Sequence, residues 1–320
     1  MTKPLAKLSD KEARRRLPPA GGGPHYYTGR DRQRLRYGLW LPEQVTRGTV
    51  FVLPGRSEFI EKYFETIADL NDRGFVALIL DWRGQGLSGR LIIDTPKSKG
   101  DEFDLMIGDL IDLISLAKRK KFPKPWTILG HSMGCHLFLR LIHDFPRQEK
   151  NFDRAVLIAP MMGLKLSGAT LLLLKYLIKW ARKRKKLKNL APFQGNKNIQ
   201  WKKRLGFGRL TSDAGRFQDE HWQIDQNPAL AVGGITYGWL DAALNSMKLL
   251  QGSRLPEKLK IPICFVLPGK ENVVDARASR DFIARISDAT VVILKDARHE
   301  ILKERDDIRK TFWQIFENFV

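Results

Sequence analysis

A serine between two glycines is the residue of this sequence best placed for nucleophilic chemistry. Ser132 lies at the centre of Gly130–Gly134, which reads GHSMG. The β-rich run Trp126–Leu129 precedes it, and apolar residues at helical spacing follow it over Met133–Asp144. A strand, a sharp turn and a helix in this order hold a serine hydroxyl at the end of the strand, beside the helix N-terminus. The pattern therefore predicts that Ser132 is a catalytic nucleophile.

A serine hydroxyl is a weak nucleophile at neutral pH and needs a histidine base. In enzymes with this type of turn, the order along the chain is serine, then acid, then histidine. His299 fits that order, because it follows the last β-rich run, Thr290–Leu294, and so lies on a loop at the same sheet edge as Ser132. His221, in a long helical segment, is the alternative base.

The acid that orients the base is expected after the β-rich run Ile263–Leu267. Glu271 and Asp275 both follow this run. Glu271 is the predicted acid, because the apolar pair Val273 and Val274 two residues later would pack its loop onto the core, and glutamate is an accepted variant of aspartate. Asp275 is the alternative acid, and its other interpretation is the N-cap of the helix that follows.

Serine catalysis also needs two backbone N–H groups that face the charge developing on the substrate carbonyl oxygen. Met133 directly follows the nucleophile and is expected to supply one of them. The loop after the β-rich run Thr49–Leu53 should supply the other, and Gly55 in that loop permits close approach of the backbone. We therefore predict an oxyanion hole formed by the amides of Arg56 and Met133.

Short β-rich runs alternate with helix-length segments along most of the chain. Six runs are predicted strands: Thr49–Leu53, Val76–Leu80, Thr127–Leu129, Ala155–Ala159, Ile263–Leu267 and Thr290–Leu294. This alternation is typical of an α/β protein with a mostly parallel, doubly wound sheet. It stops over residues 161–261, which we interpret as a helical cap or lid insertion beside the ligand-binding strand ends. Residues 37–160 and 262–320 are then the two parts of the core.

Positive charge is concentrated in two segments. The 56 lysines and arginines exceed the 35 acidic residues by 21. Residues 1–36 carry ten basic and three acidic residues, and residues 175–209 carry thirteen basic and no acidic residues. The first segment, rich in charge, proline and glycine, is predicted to be a flexible basic tail. No zinc-finger, basic-zipper or RNA-recognition pattern accompanies the charge, so we expect no nucleic-acid partner.

The two cysteines, Cys135 and Cys264, lack metal-ligand spacing. We therefore expect no metal and no other cofactor. The N-terminal residues lack the apolar run and cleavage pattern of a signal peptide. The most apolar stretch, Leu164–Ile178, is interrupted by lysine and serine and falls short of the ~20 apolar residues of a spanning helix. These features favour a cytoplasmic protein without a membrane span.

Together these motifs resemble those of the α/β-hydrolase family of bacterial lysophospholipases and monoacylglycerol lipases, most closely its inner-membrane lysophospholipase branch. The resemblance extends from about residue 37 to the C-terminus and rests on Leu53–Glu58, Asp81–Arg90, His131–Gly134, Ala159–Met161, Gly233–Trp239 and Ala297–Leu302. It implies an α/β-hydrolase fold with a helical cap and serine-dependent cleavage of an acyl ester. Pro54-Gly55 is the form associated with the lysophospholipase branch, and it favours a lysophospholipid substrate over a neutral glyceride.

The sequence pattern at the start of the predicted cap predicts a basic amphipathic helix. Leu171, Leu174, Ile178 and Ala181 recur on one face, and lysines and arginines between 175 and 188 gather on the other sides. Such helices are typical of attachment to anionic membranes. We therefore expect peripheral binding to the inner face of the membrane through the basic cap and tail. The other interpretation is that the apolar face packs on the cap and the lysines are solvated.

The predicted function is hydrolysis of the acyl ester of lysophospholipids through an acyl-enzyme intermediate. A monoacylglycerol lipase or a generic carboxylesterase would use the same residues and a different pocket. Tyr237 and Trp239 in the cap are candidate substrate-binding residues. A more distant alternative is a non-catalytic module that binds membranes or nucleic acid. The oligomeric state is left open.

Overall fold

One mostly parallel sheet runs through the computed structural model, which describes residues 8–45, 47–89, 102–182 and 207–320. In the described part the strands are β1 (Gly22–Thr28), β2 (Arg34–Trp40), β3 (Thr49–Leu53), β4 (Val76–Leu80), β5 (Trp126–His131), β6 (Arg154–Ile158), β7 (Ile263–Pro268) and β8 (Thr290–Leu294). Their order is β1-β2-β4-β3-β5-β6-β7-β8. All neighbours pair in parallel except β1 with β2 and β2 with β4.

Helices cover both faces of this sheet. The described helices are α1 (Asp10–Arg16), α2 (Phe64–Asp72), α3 (Glu102–Arg119), α4 (Met133–Asp144), α5 (Gly168–Arg182), α6 (Ala214–Gln226), α7 (Tyr237–Gly252), α8 (Ala276–Ile283) and α9 (Asp306–Phe319). Apolar residues of α2 and α9 fill the core on one face, and those of α3, α4 and α8 fill it on the other. The central strands β3 and β4 are buried throughout, as expected for strands covered on both faces.

The predicted strands and helices of the core are confirmed. β3, β4 and β8 have the bounds read from their β-rich runs, and α4 has the bounds read from its helical spacing. Each of the other three predicted strands differs from its observed strand, β5, β6 or β7, by one to three residues when both ends are counted. Continuous runs of buried β-branched and aliphatic residues are a strong signal because tertiary packing and local preference agree on them.

Between β6 and β7 the described residues form helices α5, α6 and α7 and short single turns. The only strand-like feature described there is a single antiparallel bridge between Leu164 and Val274. α7 packs against α3, α4 and α5, so this segment is attached to the helical layer beside the elbow helix α4. No helix in the described ranges has the length and apolarity required to cross a membrane.

The prediction of a flexible tail over residues 1–36 is wrong for the part that the structure describes. This part contains α1, β1 and the start of β2, and β1 pairs with β2 from Gly22 opposite Trp40 to Thr28 opposite Arg34. The predicted core boundary at residue 37 therefore falls inside β2. β1 is mostly exposed, so backbone hydrogen bonds rather than an apolar face hold it on the sheet edge. The amino-acid composition of this segment therefore does not indicate a strand.

The arginines of α1 form ion pairs with acidic residues of other helices. Arg14 pairs with Asp69 (2.7 Å) and Asp72 (2.5 Å) of α2. Arg15 and Arg16 both bind Asp219 of α6, with Nε–Oδ distances of 2.5 and 2.7 Å. These contacts attach the N-terminal helix to the core and to the segment between β6 and β7.

We expect Asp219→Ala to destabilise the protein by about 3 kcal/mol, because it leaves Arg15 and Arg16 together without their buried counter-ion. The measurement is the free energy of unfolding in urea. Asp296→Ala is the matched control, since it removes an exposed ion pair with Lys270 and should change stability little. Equal, small effects of both variants would contradict a structural role for α1.

Candidate active site

The backbone at Ser132 turns sharply between β5 and α4. Ser132 has φ 50° and ψ −109°, a conformation costly for a residue with a Cβ. Its amide donates to the carbonyl of Ile158 in the neighbouring strand (2.9 Å). A Cβ at Gly134 would lie 2.0 Å from the carbonyl oxygen of Leu53, so only glycine allows the elbow to approach the end of β3. The sequence predicted this strand–turn–helix arrangement.

His299 lies between Ser132 and Glu271. Its Nε2 is 3.0 Å from Ser132 Oγ, and its Nδ1 is 2.8 Å from Glu271 Oε2. Because a carboxylate only accepts hydrogen bonds, Nδ1 carries the proton and Nε2 is free to accept the hydroxyl proton of Ser132. The side chains of His299 and Glu271 are both buried, which strengthens their interaction.

Glu271 is held in place by its own loop. Its Oε1 accepts hydrogen bonds from the amides of Val273 (2.7 Å) and Val274 (3.2 Å), while Oε2 faces His299. Burial alone would raise the pKa of Glu271, but the hydrogen bond and charge of His299 and the two amides outweigh burial, and the pKa is lowered. The carboxylate is therefore ionised at neutral pH.

The two alternatives from the sequence lie elsewhere. Asp275 accepts from the amides of Arg277 and Ala278 and caps the N-terminus of α8, which is its structural interpretation. The Nδ1 of His221 lies 3.0 Å from the carbonyl of Phe217, one turn earlier in α6. The structure brings Glu271 and His299 to Ser132, and it does not bring Asp275 or His221 there.

The loop after β3 lies beside the elbow because β3 and β5 are parallel neighbours, with Leu53 opposite Gly130. Trp82 Nε1 donates to the carbonyl of Pro54 (2.8 Å) and holds the start of this loop. Among the described residues, the amides of Arg56 and Met133 donate to no protein acceptor. One of these N–H groups follows Ser132 directly and the other lies on the loop beside the elbow, and such a pair of donors can stabilise a developing oxyanion.

A buried glutamate that the sequence analysis did not single out joins three parts of the site. Glu58 Oε2 accepts hydrogen bonds from the Gly55 amide, from Tyr63 Oη (2.6 Å) and from His131 Nδ1 (3.0 Å). His131 Nε2 lies 3.1 Å from the backbone carbonyl of His299, which only accepts. Both ring nitrogens of His131 therefore face acceptors, and the ring donates twice as an imidazolium.

The pKa shifts agree with this geometry. Burial alone would raise the pKa of Glu58, but Lys62 and His131 outweigh it and the pKa lies well below its usual value. Burial alone would lower the pKa of His131, but Glu58 outweighs it and the pKa is raised. Lys62 extends the network to Glu220 of α6 (3.0 Å) and to Glu300 (2.7 Å), next to His299. The sequence contains only one signal of this network: Glu58 and Lys62 are four residues apart and have apolar neighbours.

The two candidate substrate-binding residues differ in position. Trp239 is buried in the first turn of α7, and the guanidinium of Arg56 lies 4.7 Å from the centre of its ring. Tyr237 is partly buried and packs against the apolar core under α7. The structure therefore brings Trp239 to the loop that carries the predicted oxyanion hole. For Tyr237 it shows only a packing contact.

Comparisons with known proteins agree with this site and fold. A family model described as Hydrolase_4: Serine aminopeptidase, S33, matches residues 44–306. A protein of Haemophilus influenzae named "Probable lysophospholipase L2" is 27% identical over 317 residues, covering 92% of this chain and 91% of that protein. Lysophospholipase L2 of Escherichia coli K12 is 27% identical over 295 residues, covering 88% and 83%.

Solved structures are similar over almost the whole chain. A soluble variant of the monoglyceride lipase of Saccharomyces cerevisiae aligns with a TM-score of 0.71 and 17% identity, covering 94% of both chains. A carboxyl esterase of Bacillus coagulans aligns with a TM-score of 0.68 and 18% identity, covering 94% of this chain and 98% of the esterase. At this identity the likeness concerns the fold.

Proposed function

Since the chain belongs to the Hydrolase_4 family of serine hydrolases and has the α/β-hydrolase fold expected from its sequence, we propose that it cleaves the acyl ester of lysophospholipids. The observation that carries this proposal is the hydrogen-bonded chain from Glu271 through His299 to Ser132. The two relatives named lysophospholipase L2 match over most of both chains, and they support a lysophospholipid as the substrate.

In this proposal the reaction passes through an acyl-enzyme. Ser132 Oγ attacks the ester carbonyl while His299 Nε2 takes its proton, and Glu271 stabilises the imidazolium that forms. The amides of Arg56 and Met133 donate to the oxyanion. His299 then gives the proton to the departing glycerol oxygen. A water molecule, deprotonated by the same nitrogen, releases the fatty acid and restores the serine.

The alternative substrate is a monoacylglycerol or another carboxylic ester. The same catalytic residues and the same fold would cleave a neutral ester equally well, so the pocket and not the catalytic machinery decides between the two substrates. A non-catalytic binding module is the more distant alternative. The hydrogen-bonded Ser132, His299 and Glu271 argue against it.

We expect fatty acid release from lysophosphatidylethanolamine at a higher kcat/KM than from a monoacylglycerol with the same acyl chain. In Ser132→Ala, release from both should fall by at least about 10⁴-fold, because the nucleophile is lost. The measurement is free fatty acid after incubation with each lipid. Faster release from the monoacylglycerol would favour the alternative substrate. No release from either by the folded wild type would favour the binding module.

The identity of the acid is tested by two matched amide variants. Glu271→Gln should lower kcat by about 10³- to 10⁴-fold, because the neutral amide neither holds the required tautomer nor stabilises the imidazolium. Asp275→Asn should lower stability slightly and leave kcat within about threefold, because asparagine also caps helices. The measurement is kcat with a soluble short-chain ester. A larger loss in Asp275→Asn would reverse the assignment.

We also propose that the protein binds peripherally to an anionic membrane, on the cytoplasmic face, through α5. Leu174 and Ile178 of α5 are buried, in agreement with an inward apolar face. Large apolar side chains also point outward: Leu172, Leu173, Tyr176 and Trp180 are 70, 60, 69 and 43% exposed. The described outward side of α5 therefore carries large apolar side chains together with the exposed Lys179.

This outward face and its charge fit a lipid surface. Exposed leucines with a tyrosine and a tryptophan, at intervals of three and four residues, match the boundary between head groups and acyl chains. Lys179 is exposed on the same helix, and the thirteen basic residues between 175 and 209 lie in or next to it in the sequence. Most of the predicted basic run, 183–206, lies outside the described residues. Its charge complements anionic lipid head groups.

We expect the double variant Leu173→Ser/Tyr176→Ser to bind vesicles of anionic phospholipid at least about tenfold more weakly than the wild type, since burying each apolar side chain favours binding. The measurement is co-sedimentation with the vesicles. Phe145→Ser/Ile293→Ser is the matched control, because it removes two exposed apolar side chains outside α5. Equal binding by wild type and both variants would contradict docking through α5.

A further inference from the structure

We propose that the guanidinium of Arg56 binds the phosphate of the lipid substrate and so selects a phosphorylated ester over a neutral one. This inference rests on the proposed ester hydrolysis and deepens it. It concerns the side chain of Arg56, whereas the oxyanion hole concerns only the backbone amide of the same residue. A phosphate diester carries a single negative charge and two oxygens that a guanidinium can bind side by side.

The first observation is the set of partners around this side chain. Arg56 donates through Nη1 to Ser57 Oγ (2.9 Å) and through Nη2 to the carbonyl of Gly234 (3.3 Å). Its guanidinium also lies over the ring of Trp239. All three partners are neutral, and only two of the N–H groups of the guanidinium donate to described protein atoms.

The second observation is a contrast between Arg56 and the buried arginines of the core. Arg36 pairs with Glu61 and Asp81, and Arg83 pairs with Asp31 and Asp109. Arg216 pairs with three carboxylates: Glu65, Asp213 and Asp306. No carboxylate of the described residues lies within ion-pair distance of Arg56. Arg56 is half-buried, and a partly desolvated cation without a counter-ion is unfavourable, so an anionic ligand would supply the missing charge.

The electrostatics of Arg56 agree with this contrast. Burial lowers the pKa of Arg56 to about 10, and the more distant charge of Glu102 offsets only part of that effect. The positive charge is therefore less stable than that of an arginine in water, although it is retained at neutral pH. A bound phosphate would stabilise it, whereas a neutral glycerol would not.

The position of Arg56 suits a lysophospholipid. Its amide is free beside the elbow, where the ester carbonyl is proposed to bind, and its guanidinium contacts Gly234 and Trp239 of the insertion. One residue would thus contact both ends of the glycerol unit, the ester at the amide and the phosphate at the guanidinium. Trp239 Nε1 is buried and has no acceptor among the described residues, so it is a further donor for a ligand oxygen.

The test compares two lipids with the same acyl chain. We expect the ratio of kcat/KM for lysophosphatidylethanolamine to kcat/KM for monoacylglycerol to fall at least about tenfold in Arg56→Gln. Arg56→Lys keeps the charge without the fork of donors and should lose part of the ratio. Arg119→Gln, an exposed arginine at the C-terminus of α3, is the matched control and should keep it. A ratio in Arg56→Gln within about twofold of the wild type would overturn the proposal.

A binding measurement separates this inference from the proposed hydrolysis. Ser132→Ala and Ser132→Ala/Arg56→Gln are titrated calorimetrically with short-chain lysophosphatidylethanolamine and monoacylglycerol below their micellar concentrations. We expect only the phosphorylated lipid to bind at least about tenfold more weakly to the double variant. Equal weakening for both lipids, or none, would overturn the phosphate site even if the wild type cleaves esters. The expected result, obtained with a wild type that cleaves neither lipid, would support the phosphate site and contradict only the hydrolysis.

Inorganic phosphate is the competitor that distinguishes the two sources of this anion. We expect it to displace the lysophospholipid only at concentrations far above the dissociation constant of the lipid, because it lacks the acyl chain and glycerol contacts. Displacement with equal affinity would assign the guanidinium to a free anion and would overturn its role in lipid selection. Thermal unfolding of Arg56→Gln and Arg56→Lys shows whether each variant is folded before its ratio is interpreted.

Discussion

The carboxylate of Glu58 is the contact on which the geometry of the site depends. It joins the loop of Arg56, through the Gly55 amide, to the elbow, through His131. His131 in turn donates to the backbone of His299, so one buried carboxylate orients the loop of Arg56, the turn at Ser132 and the loop of His299. Isolated, such a charge would be costly to bury. Lys62 and His131 supply the compensating positive charge.

This arrangement also explains how the strained backbone of Ser132 is maintained. The left-handed conformation of Ser132 persists only if its surroundings over-determine it. Three contacts restrain the turn. They are the hydrogen bond from Ser132 to Ile158, the close approach of Gly134 to Leu53, and the hydrogen bond of the His131 side chain to Glu58. The loops of Arg56, Ser132 and His299 follow parallel strands and therefore lie at the same edge of the sheet, so the fold itself positions the site. Preorganised donors cost no reorganisation during the reaction.

The elements that the sequence predicts are those with strong local signals. The buried strands and the order of Ser132, Glu271 and His299 along the chain could be predicted, because strand-end loops of a parallel sheet must meet. Strands β1 and β2 could not, because their pairing depends on backbone hydrogen bonds between residues of mixed polarity. The Glu58 network could not either, since Glu220 and Glu300 reach Lys62 from remote segments. In α5, apolar residues occupy so many positions that periodicity does not reveal which of them face outward.

The positive charge of the chain divides into two classes with different consequences. In α1 and in the core, arginines are neutralised by carboxylates and contribute to structure, as the pairs of Arg15 and Arg16 with Asp219 illustrate. Residues 175–209 contain thirteen basic and no acidic residues, so this part of the excess charge has no counter-ion within its own segment of the sequence. Arg56 belongs to neither class, because it is half-buried and no carboxylate of the described residues lies within ion-pair distance of it. The net charge of +21 therefore does not identify a partner by itself, because the positions of the counter-ions decide which cations stabilise the fold.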